Sequence, residues 1–114
     1  MAESYGRDTH LLSRIGEAGS VYIADDVVAA ISVIAACEVD GVASMAGGRY
    51  KKNIHVDMSE EQISIDLAIS IKYNYNIPEV CSKVQEKVKA SVESMTGLKV
   101  LVVNVKVSGV DVNS

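Results

Sequence analysis

The chain has 114 residues and a net charge of −4, and 48% of it is apolar, with neither Trp nor Phe. That length fits one domain able to bury a core without staples. The acidic balance argues against a whole-protein preference for nucleic acid or anionic lipid, and a core of Val, Ile and Ala leaves few bulky anchors for a deep ligand pocket.

Residues 1–19 are polar, with Gly16 and Gly19 near their end, and read as a flexible N-terminal tail in which Leu11, Leu12 and Ile15 form at most one docking turn. No stretch there resembles a signal peptide. The longest apolar run, Val27 to Cys37, is broken only by Ser32 and falls short of the ~20 residues that cross a bilayer. A soluble, cytoplasmic protein is expected, with any membrane association supplied by a partner.

Ser20 to Ile23 is long enough only for an edge strand. Asp25 or Asp26 then suits the start of a helix, where a carboxylate meets unpaired N–H groups and the positive dipole end. That helix is apolar nearly all round: Val27, Val28, Ala29, Ala30, Ile31, Val33, Ile34, Ala35, Ala36 and Cys37 leave only Ser32 and Glu38 for water. An ordinary surface helix keeps one polar face. Covering every side of such a helix within so small a chain is hard, which favours a second copy against Val27, Ala30, Val33, Ile34 and Cys37. The plainer alternative is a mild, Ala-rich surface that needs no partner.

Asp40-Gly41 ends the helix, and Val42 to Ala46 suits a brief strand. Gly47 to Asn53 is the most basic segment. Its Arg49, Tyr50, Lys51 and Lys52 are candidates for binding phosphate, an acidic partner or an anionic surface, against the plainer reading of a solvated turn. Ile54, Val56 and Met58 alternate with His55 and Asp57, and Ile63 to Tyr73 alternate with polar or small residues over a long strand. The two form an antiparallel hairpin across Ser59 to Gln62.

Asn74, Asn76 and Pro78 break the strand pattern. A helical stripe follows, through Val80, Cys81, Val84, Val88, Ser91, Val92 and Met95, and Thr96-Gly97 stops it. Leu98 to Val107 supply the last strand, apolar on both faces in its first half, with Val100 and Val102 on one side and Leu101 and Val103 on the other. Strand, helix, strand reads as a βαβ unit. The fold class expected is α+β: one small mixed sheet, two principal helices on one face and a single domain over 20–110, with 111–114 a C-terminal tail. The double-sided strand adds Val100 and Val102 to the candidate self-association residues.

Chemistry is sparse. His55 and Asp57 share a strand face, but no nucleophile signature accompanies them. Gly16-Glu17-Ala18-Gly19 matches the GxxG of KH domains without its basic residues or its flanking helices. Cys37 and Cys81 have no CxxC spacing or neighbouring His and read as core residues of a reducing compartment. No Walker loop or dinucleotide fingerprint occurs. No catalytic residue, metal ligand or cofactor is expected.

Three blocks in order carry a family likeness: Gly19-Ser20-Val21-Tyr22-Ile23-Ala24-Asp25-Asp26-Val27-Val28 running to Glu38-Val39-Asp40-Gly41-Val42; Ile65-Asp66-Leu67 and Ile69 to Tyr73, then Asn76-Ile77-Pro78-Glu79-Val80; and Val92 to Leu98, followed by Val102 to Val110. Together they resemble the alkaline shock protein (general stress protein) family, found mainly in Gram-positive bacteria. Relatives commonly place Gly after the strand-ending Tyr; here Asn74 stands there, and Asn tolerates the left-handed conformation. The resemblance implies a non-enzymatic, self-associating protein of envelope homeostasis gathered beneath the membrane by a membrane-anchored partner. The alternative it implies is control of fatty-acid synthesis through acetyl-CoA carboxylase. A third reading, from the basic segment alone, is a small nucleic-acid-binding module.

Overall fold

The computed structural model describes residues 9–15, 19–45, 54–59 and 62–112. Strand β5, Gln62–Lys72, organises the larger sheet. Its alternation is realised without a fault: Ile63, Ile65, Leu67, Ile69 and Ile71 are all buried, and the residues between them face the other way. One edge of β5 is shared by two antiparallel strands. Strand β4, Ile54–Ser59, pairs with its first half, and strand β3, Val42–Met45, with its second half. Strand β6, Lys99–Asp111, runs parallel along the whole of the other edge.

Helix α1, Asp25–Cys37, and helix α2, Ile77–Thr96, cover the isoleucine face. Val28, Ile31, Ala35 and Ala36 from α1 and Val80, Val84, Val88 and Val92 from α2 form one core with the buried residues of β5. β5, α2 and β6 make the expected βαβ unit, and the α+β class holds. The stop signals also hold. Asn74 is left-handed at φ 78° and Gly97 at φ 77°, and the Asn76 side chain accepts a hydrogen bond from the Glu79 N–H at 2.9 Å at the start of α2. Ser32, buried in α1, is satisfied by donating to the Val28 carbonyl at 2.8 Å.

Four details differ from the sequence reading. Thr9–Ile15 is not tail but strand β1, antiparallel to β2, Gly19–Ala24, in a separate two-stranded sheet. Its register slips between Leu11 and Ser13, where adjacent leucines interrupt a period of two. The cap of α1 is Ala24, with Asp25 and Asp26 in the first turn instead of at the cap. Met95 is exposed, since the buried stripe of α2 ends with Val92 and Thr96. Finally, β6 bulges between Val100 and Val102 against β5. Val100 therefore points into the core at 1% exposure while Val102 lies outside at 40%.

Candidate functional site

Helix α1 has two unlike sides. Val28, Ala29, Ile31, Ser32, Ala35 and Ala36 are buried, whereas Val27 (46%), Ile34 (61%) and Cys37 are exposed and Ala30 and Val33 half-buried. Positions 27, 30, 34 and 37 follow the spacing of one helical face, so four of them form a single uncharged stripe between Asp26 and Glu38. Just before the helix, Val21 and Tyr22 of β2 are exposed as well. The slab is only 17 Å thick in its shortest dimension, and among the described residues a sheet and one helix layer fill it, which leaves the stripe on the outside. Of the residues expected at a self-association surface, the fold brings Val27, Ala30, Val33, Ile34 and Cys37 together. It removes Val100 to the core and leaves Val102 on the opposite face.

That opposite face, uncovered by any described element, is polar. Across its middle run His55 of β4, Asp66 of β5 and Asn104 of β6, aligned by register. The Asn104 amide donates to Asp66 Oδ1 at 2.7 Å. Ile54, His55, Asp66, Leu67, Ala68, Lys106 and Ser108 line a shallow depression of about 350 Å3. Among the described residues no hydrogen bond joins His55 to Asp66 or Ser108, so a hydroxyl, an imidazole and a carboxylate share a wall without forming a proton relay. Asp57, the expected companion of His55, lies opposite Ser64. Sequence reasoning missed Asp66, Asn104, Lys106 and Ser108 as a group. Their common signal was the polar half of each alternating strand, readable only once the register was known.

The free edge of β6 is guarded. Gln85 Nε2 donates to the Val103 carbonyl at 3.0 Å, and Glu93 Oε2 accepts the Val100 N–H at 2.9 Å. With two bulges and Lys99 and Lys106 along it, this strand is poorly disposed to template another.

The basic residues Arg49, Tyr50, Lys51 and Lys52 lie outside the described residues, as do Gly16, Glu17 and Ala18 of the Gly16–Gly19 motif. Cys37 is exposed and is not the core residue expected, whereas Cys81 is half-buried and packs against the core; both thiols are free. Partial burial still pushes each above its ordinary value, which keeps them protonated and slow to react at neutral pH. Among the described residues no three His, Cys, Asp or Glu side chains gather to hold a metal ion, and no helix is long and apolar enough to cross a membrane. Tyr73 and Tyr75 are both exposed at the sheet end, and the Tyr75 ring lies against Gly41.

These features define a two-layer α+β domain whose most distinctive surface is an apolar helix stripe that no described element covers. The chain belongs to the alkaline shock protein 23 family, described as having a cell envelope-related function, whose model matches residues 14–112. It is similar to the uncharacterized protein YqhY of Bacillus subtilis, 33% identical over 90% of this chain and 80% of the relative. The uncharacterized protein YloU of the same organism is 32% identical over 84% of this chain and 92% of its own. A stress response regulator gls24 homolog of Streptococcus pyogenes is 27% identical over 94% of this chain and 67% of the relative. Among solved structures, forms of the MamM CTD share the fold at a TM-score of 0.52 and 18% identity, over 74% of this chain and 94% of theirs.

Proposed function

We propose that this chain is a non-enzymatic, cytoplasmic assembly protein of the envelope stress response, which associates with further copies of itself through the outer stripe of α1. The observation that carries this reading is Ile34, a large aliphatic side chain 61% exposed at the centre of a stripe without charge. Burying such a side chain is worth roughly 1.5–3 kcal/mol, and a second copy lies against this stripe without stripping water from any ion. The polar sheet face and the guarded β6 edge offer no comparable gain. The family's cell envelope-related description supports the same role, with a membrane-anchored protein as the means of holding the assembly near the membrane. Neither control of fatty-acid synthesis nor nucleic-acid binding gains a specific observation from the described residues.

Light scattering over a range of concentrations tests the assembly. The weight-average mass rises with concentration for the wild type. A mass fixed at that of one chain up to high concentration contradicts the reading.

A further inference from the structure

We propose that the depression on the sheet face that no described element covers, between Lys106, Ser108, His55 and Asp66, is a binding site for a small oxyanion that also carries a hydroxyl, such as the phosphate ester of a short polyol. The site lies on the side of the sheet away from the helices and does not depend on self-association.

A water-facing sheet surface is ordinarily polar, so polarity alone carries nothing. Three features set this spot apart. Its floor is low because Ala68 occupies the central strand beside Lys106, and the β6 position beside Ser70 is Gly109, which has no side chain. The second bulge of β6 falls between Val107 and Gly109, paired to Ile69 and Ser70. The extra residue is Ser108, an exposed hydroxyl on the depression wall; bulges re-aim single side chains in this way. The polar groups are also unspent. Lys106 has no ion-pair partner among the described residues, and Asp66, which lines the same depression, accepts from the Asn104 amide through Oδ1 at 2.7 Å.

The chemistry of the ligand follows from that pairing. One ammonium, one hydroxyl and an imidazole can donate to an oxyanion, and a fixed carboxylate with lone pairs to spare can accept from a hydroxyl. A purely anionic ligand meets Asp66, and a purely cationic one meets Lys106. An anion bearing a donor satisfies both. The depression, about 350 Å3, is shallow, so it contacts an acid group and the few carbons beside it and leaves the rest of any longer molecule in water.

Nitrogen-15 amide spectra of the full chain, titrated with glycerol 3-phosphate, inorganic phosphate or glycerol, test the assignment. Glycerol 3-phosphate is expected to give saturable shifts confined to Ile54–His55, Asp66–Ala68 and Lys106–Gly109. Inorganic phosphate binds more weakly, and glycerol gives no shift. Lys106→Gln weakens binding about tenfold or more, the scale of one charge-assisted hydrogen bond. Ala68→Leu, which fills the floor, abolishes it while the dispersed spectrum of the folded chain persists. Non-saturating shifts, shifts centred elsewhere, equal affinity for phosphate with and without the hydroxyls, or a Lys106→Gln variant that binds like the wild type each overturn the proposal.

Discussion

Gly41 shows how one position ties the helix layer to the sheet. Its φ is +101°, and a Cβ built there meets Tyr75 Cδ2 and Val80 Cγ2 at 2.7 Å. The Gly41 carbonyl also accepts the Lys72 N–H at 2.8 Å, so the backbone cannot swing away without losing a sheet contact. Gly41→Ala combines a left-handed backbone with overpacking and is expected to cost about 1–3 kcal/mol, read as a lower urea midpoint. Asn74→Gly, at a left-handed residue that is exposed, leaves the midpoint nearly unchanged. The thiols give a second residue-scale test. Burial raises both Cys37 and Cys81, so the unfolded chain gives up its thiol protons at lower pH than the folded one. Their contribution to stability is whole below the ordinary thiol value and declines as pH rises past it. Alkylation by iodoacetamide near pH 8 is accordingly slower in the folded chain than in the same chain in urea.

At the scale of elements, α2 is held at both ends by local signals. Asn76 caps it, Pro78 sits in its first turn, and left-handed Gly97 ends it with its N–H on the Glu93 carbonyl. Asn76→Ala therefore costs about 1 kcal/mol with no change in fold, measured by thermal or urea unfolding. Such signals are why α2, β5 and the βαβ unit were legible in the sequence: Pro, Gly and Asn mark the breaks, and the period changes from two to 3.6 between them. Where the sequence misled, pairing overrode local pattern. Thr9–Ile15 carries two adjacent leucines that spoil the alternation, and its strand exists because β2 is there to pair with it. The bulge near Leu101 reverses the phase of β6, so Val100 and Val102 part company. No count of apolar residues along the chain reveals a slip in register.

At the scale of the whole molecule, the slab geometry decides which surfaces are left over. With Cα extents of 51 × 28 × 17 Å, the described residues form one helix layer, and the apolar character of α1 exceeds what the sheet can cover. That excess was readable in the sequence as a helix without a polar face. The choice between the α1 stripe and the sheet face was not, because it depends on which half of β6 faces water. The candidate depression was illegible for the same reason, since His55, Asp66 and Lys106 are scattered over three strands and meet only through their register.

Sedimentation of three forms tests that choice most directly: the wild type, Ile34→Lys on the outer stripe of α1, and Val102→Lys on the opposite face. Neither altered side chain belongs to the core, Ile34 being 61% and Val102 40% exposed, so each variant keeps its fold and its circular dichroism. The wild type and Val102→Lys are expected to associate alike as concentration rises, while Ile34→Lys sediments as a single chain. Association of Ile34→Lys at wild-type strength, or a wild type that never exceeds one chain, would contradict the account.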